Sequence, residues 1–287
     1  MGVQNSLVKN NKTAKPSLSA YLQRVDVQKK INEVVGGKDG QRFIAAIVSA
    51  TNNNTALQEC NQGSIVSAAL LGEALKLSPS PQLGHYYLVA YNDKEKGKVA
   101  QFQLGYKGYI QLAIRSGQYK KLNVLAIKEG ELVRFNPLDE EIEINLNEDW
   151  DARENLETIG YYATFELVNG FKKSIYWSKK KMESHAMKYS QGYRKDKEKG
   201  WSYTFWSKDF DGMAYKTMLR QLISRWGIMS IEMQSAFEGD MAVIKEDGTK
   251  DYVEADNEDI ITAEFVDVQE EKTEDSVIDA QTALFGN

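Results

Sequence analysis

Apolar positions along the chain follow two rhythms. Phe43, Ile44 and Ile47, and then Ile65, Ala69 and Leu70, recur at three- and four-residue spacing, which predicts amphipathic helices over 41–51 and 64–77. A shorter helix over 21–35 ends at Gly36-Gly37, and the Ser78-Pro79-Ser80-Pro81 run stops the helix that begins at 64. Strand-like runs follow. Residues 86–91 and 99–104 flank a hairpin tip at 92–98, a helix over 107–116 closes at Gly117, and 122–128 pairs with 131–135. Residues 160–167 and 171–177 form a second hairpin around Asn169-Gly170, a strong turn dipeptide. Residues 179–189 and 205–226 read as helices; in the second, Phe210, Ala214, Met218, Leu222 and Trp226 recur every fourth position.

The polar stretches between these runs define the remainder. Residues 1–20 are rich in Lys, Asn and Ser and are expected to be disordered. Residues 139–157 read as an acidic loop or short irregular strands, and 191–200 as a charged, Gly-flanked loop. Past Glu232 apolar residues thin out, leaving short helices near 241–244 and 276–285 in an otherwise disordered tail. No internal repeat is visible. The pattern predicts an α+β core at 21–231 between a disordered N-terminal segment (1–20) and an acidic C-terminal tail (232–287).

Charge sharpens that division. The net charge of −5 combines a tail from Glu232 onward with 17 acids and 3 lysines and a body with 24 acids and 33 bases. A basic body implies a polyanionic ligand, and the tail a separate role. Cys60 is the only cysteine, which rules out an internal disulfide and fits a reducing cytoplasm. One cysteine and two histidines (His85, His185) do not supply a Cys/His zinc site. The N-terminus has no apolar core of a signal peptide, and the longest apolar run, near 43–48, is too short to span a bilayer.

No GxxxxGK[ST] phosphate loop, GxSxG elbow or Cys/His nucleophile pattern occurs. The acids at 139–143 and 148–151 have no defined ligand spacing, and a solvated loop is favoured over a Mg²⁺ site. The candidate chemistry is cationic and aromatic. In 104–115, LGYKGYIQLAIR, Gly105 and Gly108 permit close backbone approach, Lys107 sits in a first helical turn, and Tyr106 and Tyr109 offer either stacking faces or core packing. In 215–226, Lys216 and Arg220 share one helix face opposite the apolar stripe, with Thr217, Ser224 and Arg225 nearby. That face suits a phosphate track, although spacing alone favours an ordinary solvated face. The 188–206 stretch carries five bases, Arg194 and Lys195 among them, against two acids, interleaved with Tyr189, Tyr193, Trp201, Tyr203, Phe205 and Trp206. It reads as a mobile basic loop that closes over a strand or as a solvated loop anchored by tryptophans, with Trp201 and Trp206 mainly structural. Lys94, Lys96 and Lys98 at the first hairpin tip would wedge between bases or stand in solvent. Convergence of these sites on one groove would call for a long anionic ligand.

The order LGH-x-Y-L-x-x-Y, then Q-x-x-LGY-[KR]-G, then a helix ending R-S-G-Q resembles the RecT family of phage and prophage single-strand annealing proteins. The pattern Trp201, Trp206, Met213-Ala214, Lys216-Thr217, Leu219-Arg220 and Leu222 is similar to that family's second signature, and the resemblance covers about 41–238. The bulk around Tyr109 and Tyr203 departs from it. The resemblance implies a small antiparallel sheet with helices packed on one side, forming a basic DNA-binding groove. Lys107, Arg115, Lys216 and Arg220 would line that groove, with Tyr106 and Tyr109 less securely placed. It further implies an ATP-independent, cofactor-free recombinase in the bacterial cytoplasm. Its ligands would be single-stranded DNA and the annealed duplex, and it would assemble with itself into rings or helical filaments. A 5′→3′ exonuclease and the host single-strand-binding protein would be its partners, with no membrane involved. Mg²⁺ would modulate annealing without a protein site. A passive strand-coating protein and, more remotely, a metal-dependent nuclease using 139–151 remain the alternatives.

Overall fold

A computed structural model of the chain describes residues 17–36, 39–52, 54–93, 96–245 and 247–251. Most of the expected disordered N-terminal segment, Lys94 at the hairpin tip and the tail beyond 251 lie outside the described residues. The chain opens with helices α1 (Leu18–Leu22), α2 (Val25–Val35), α3 (Gly40–Asn52), α4 (Thr55–Gln58) and α5 (Gln62–Ala74). A hairpin of β1 (Tyr86–Asp93) and β2 (Gly97–Leu104) leads into α6 (Tyr106–Ser116), which stops at Gly117 in the left-handed conformation, φ 68°. Next come β3 (Tyr119–Lys128), β4 (Leu132–Asn136), β5 (Glu141–Ile144), α7 (Trp150–Glu154), β6 (Thr158–Leu167) and β7 (Lys172–Ser178). The described fold ends with α8 (Lys179–Tyr189), α9 (Gln191–Lys199), α10 (Phe205–Lys208), α11 (Phe210–Trp226), α12 (Ile231–Gly239), β8 (Val243–Ile244) and β9 (Lys250–Asp251). The architecture is α+β, with small antiparallel sheets in place of one large one: β1-β2, β3-β6-β7, β4-β5 and β8-β9.

Two apolar clusters hold these elements. The first joins α2, α3, α5 and α6 to the β1–β2 hairpin through Ile31, Ile47, Ile65, Ala69, Tyr86, Phe102 and Leu112. Close fit is required there: a Cβ at Gly72 of α5 would lie 2.3 Å from the Tyr86 ring. The second packs Tyr161, Ala163 and Phe165 of β6 against Met182 of α8, Tyr193 of α9 and Trp206 of α10. Helix α11 belongs to both clusters. Ala214, Met218 and Leu222 enter the second, while Leu219 and Ile223 enter the first. A helix apolar on two sides is a central helix, and its position governs the fate of its polar stripe.

Several expectations are corrected by tertiary pairing. The strand at 122–128 does not pair with 131–135; β3 runs antiparallel to β6, and β4 pairs with β5. Glu131 supplies the reason. Its buried carboxylate accepts hydrogen bonds from the Lys128 amide (2.7 Å), the Asn147 amide (3.2 Å) and the Arg153 guanidinium (2.5 and 3.0 Å). That hub turns the chain away from β3 after Gly130 (φ 82°). Within 139–157 the short strand β5 matches one of the two expectations for that stretch, and the helix α7 departs from both. Residues 191–200 also form a helix where a loop was expected, because its buried positions are few and well placed. Ser190 caps the Tyr193 amide, and Asp196 accepts from the Thr204 amide and hydroxyl, the Tyr203 amide and the Ser207 hydroxyl.

The boundary at 231 also moves. Helix α12 sends Met233, Ala236 and Phe237 into the first cluster, and the Ala242–Phe102 bridge lays the next segment along β2. Residues 233–244, counted with the acidic tail by composition, place Met233, Ala236, Phe237, Asp240, Ala242, Val243 and Ile244 in the buried interior.

Candidate nucleic-acid interface

Helix α6 starts where β2 ends, with Gly105 as its N-cap. The two glycines do allow close approach, but to the chain itself. A Cβ at Gly108 would stand 2.1 Å from the His85 carbonyl, and one at Gly105 would stand 2.2 Å from the Gly84 carbonyl. The helix thereby docks tightly on the start of β1 and holds Lys107 outward on its first turn. Arg115, at the other end, is exposed but anchored, donating to the Leu75 and Lys76 carbonyls (2.6 and 3.3 Å) that close α5. Between them His85 is held below its ordinary pKa by burial and then by the Arg115 and Lys107 charges. Tyr106 is half-buried, edge-on to Tyr215 at 5.6 Å.

Tyr109 is fully buried and cannot serve as a stacking face. Its ring packs edge-on against Phe237 at 4.9 Å, and its hydroxyl donates to Asp240 at 2.9 Å. Asp240, the residue after α12, is the centre of a polar cluster that joins β2, α6 and α11. Its carboxylate accepts from Lys216 Nζ (2.9 Å), Arg220 Nη1 (2.7 Å), the Tyr109 hydroxyl and the Leu104 amide (2.9 Å). Arg220 also donates to the Tyr109 oxygen at 3.1 Å and lies over the Phe237 ring. Burial, followed by the Asp240 charge, pushes the Tyr109 phenol well above its ordinary pKa. Burial alone would lower Arg220, but Tyr109 and Asp240 outweigh it and raise it.

This corrects the expectation for α11. Lys216 is 7 % exposed and spends its charge inside the protein; Arg220 keeps a partly exposed side chain but turns a nitrogen to Asp240. The stripe opposite the apolar face is covered because α11 lies between two clusters and α12 closes its remaining side. Lys216 offers no free phosphate contact in this arrangement, whereas Arg220 keeps part of its guanidinium exposed beside the Asp240 pair.

The other candidates divide similarly. Lys98 pairs with Glu59, and Lys96 is exposed at the hairpin tip. Arg225 is exposed, its guanidinium 5.8 Å from the Trp226 ring. Arg194 is exposed on α9 and donates to the Met187 and Lys188 carbonyls (3.2 and 3.4 Å); Lys195 beside it is half-buried. Trp206 is buried as expected, whereas Trp201 is exposed, with Lys199 Nζ 4.4 Å from its ring. The acids at 139–151 are tied up separately: Glu140 with Lys173, Glu141 with Arg134, and Asp149 as the cap of α7. Among the described residues no three His, Cys, Asp or Glu side chains gather as metal ligands.

The 179–189 helix is present as expected, with Lys188 and Tyr189 of the 188–206 stretch at its end, but Trp177, Lys180 and His185 are additions to the expected site. Lys180, Glu183, Ser184, Met187 and Lys188 of this helix line an open depression with Arg194. Beside it run Trp177, His185 and Tyr189, with ring centroids 5.4 and 4.6 Å apart. The four-residue step from 181 to 185 to 189 is the signal available in the sequence, and it is divided between the 171–177 strand, the 179–189 helix and the 188–206 stretch.

The sequence model of the RecT family matches residues 41–260. The chain is 42 % identical over 252 residues to "Uncharacterized protein YqaK" of Bacillus subtilis (strain 168), covering 86 % of this chain and 80 % of that protein. It is 31 % identical over 204 residues to "Protein RecT" of Escherichia coli (strain K12), covering 70 % and 71 % respectively. The match runs from α3 through β9, taking in the second apolar cluster, the first apart from its α1–α2 residues, and the Asp240 hub, and on this basis the chain belongs to the RecT family.

Proposed function

We propose that this protein is an ATP-independent single-strand annealing protein of homologous recombination, which binds single-stranded DNA and pairs it with its complement. The observation that carries the reading is the family match over residues 41–260. Its physical support is the supply of outward cations without an acidic partner: Lys107 on α6, and Lys180, Lys188 and Arg194 around α8 and α9. These, rather than Lys216, are the residues suited to phosphates.

Base pairing itself supplies the selectivity. The protein neutralises phosphates so that two like-charged strands approach, and releases condensed counterions as it does so. Holding a strand extended with its bases accessible lets complementarity be tested at many positions. Assembly of many copies, as a ring or a filament, sums weak contacts along one strand. No bond is made or broken, and no protein-bound cofactor is invoked. Cytoplasmic single strands exposed by a 5′→3′ exonuclease and coated by the host single-strand-binding protein are the natural substrate.

The test is duplex formation between two complementary dye-labelled single strands, without ATP, followed against time and salt. Acceleration confined to complementary strands supports the proposal. Binding without acceleration reduces the protein to a strand coat, and absence of binding at low salt overturns the reading.

A further inference from the structure

We infer that the Trp177–His185–Tyr189 ladder on α8 is a base-stacking platform for single-stranded nucleic acid, with its phosphates carried by the adjoining depression. The inference deepens the proposed function and rests on it. Positions 181, 185 and 189 lie on one helical stripe, and Trp177, at the end of β7, extends the line at its N-terminal end. The rings are tilted by 59° and 46° and together span at most about 10 Å, the length of two or three nucleotides. Cations sit at both ends of the ladder: Lys181 Nζ is 4.5 Å from the Trp177 centroid and Lys188 Nζ is 5.1 Å from the Tyr189 centroid.

Two features separate this cluster from ordinary packing. Tyr189 is 64 % exposed, although tyrosine buries a large apolar ring when packing alone decides its place. The exposed part of this ring, between His185 and Lys188, is the position a base would take. In addition, the acid within the depression is neutralised, because Glu183 pairs with Lys197 (3.3 Å) and accepts from the Tyr193 hydroxyl (3.4 Å). Lys180, Lys188 and Arg194 therefore face an incoming phosphate beside a carboxylate whose charge Lys197 offsets, and Arg194 is held in place by the α8 carbonyls. Aromatic faces beside a cationic track are the arrangement that binds single strands with little sequence preference.

The experiment uses the full chain with a 5-iodouracil-substituted oligo(dT), which photocrosslinks to a stacked aromatic ring, and maps the crosslink by peptide mass. Crosslinking within α8 at Tyr189 or His185 supports the inference. Tyr189→Ala should weaken oligo(dT) binding about ten-fold while leaving an abasic strand of equal length unaffected, and Tyr189→Phe should restore it. Crosslinks confined to other elements, with Tyr189→Ala binding oligo(dT) as tightly as the parent, overturn the platform while leaving single-strand binding intact. Failure of the parent protein to bind any single strand overturns the proposed function instead.

Discussion

Replacing Asp240 by alanine tests whether the α11 cations are internal. The substitution removes the acceptor of four hydrogen bonds and leaves Lys216, 7 % exposed, without its counter-charge. Breaking a buried pair from one side costs about 3–5 kcal/mol. Arg220 reaches water through its exposed portion, so the cost falls mainly on Lys216, the Leu104 amide and the Tyr109 hydroxyl. For a domain of this size each kcal/mol lowers Tm by roughly 2–4 °C, giving a fall of roughly 6–20 °C. Urea unfolding of Asp240→Ala, Lys216→Met and the double variant completes the cycle. A coupling of about 0.5–3 kcal/mol is expected, with the double variant less unstable than the two single costs added together. An Asp240→Ala protein that unfolds within about 1 kcal/mol of the parent, compared against the 3–5 expected, would refute the account. So would a Lys216→Met protein that loses DNA affinity while keeping the parent's unfolding midpoint.

Other outcomes follow from the same geometry. Lys107→Gln and Lys188→Gln should each reduce the slope of log affinity against log salt by about one, with unchanged Tm; filter binding across a salt series reads both. Gly72→Ala should cost roughly 1–3 kcal/mol by overpacking Tyr86, visible in urea titration. Hydrogen bonds from Arg153, Lys128 and Asn147 outweigh burial and hold the Glu131 pKa below its ordinary 4.5. Its stabilising contribution is therefore present above that value and lost as pH falls through the lower folded-state value, and Glu131→Gln should flatten that acid limb of the stability profile. If the acidic tail competes with DNA, truncation after Asp251 should tighten binding at low salt. Truncation from Glu238 would also remove Asp240 and β8, and should unfold the protein's C-terminal side.

What lay open in the sequence was local. Alternation around Asn169-Gly170 marked the β6–β7 hairpin, the pattern over 179–189 coincided with α8, and Gly117 closed α6, because period, turn chemistry and caps act within a few residues. The two signatures also placed the chain in its family. Tertiary structure alone decided which strand β3 chose and where the cations of α11 point. Spacing put Lys216 and Arg220 on one face, but what covers that face arrives 20 to 24 residues later in Asp240 and from Tyr109, more than a hundred residues earlier. A carboxylate in a run of acids looks like tail chemistry until packing buries it. Once buried it must be paired, and that requirement turned two candidate phosphate contacts into an internal clasp.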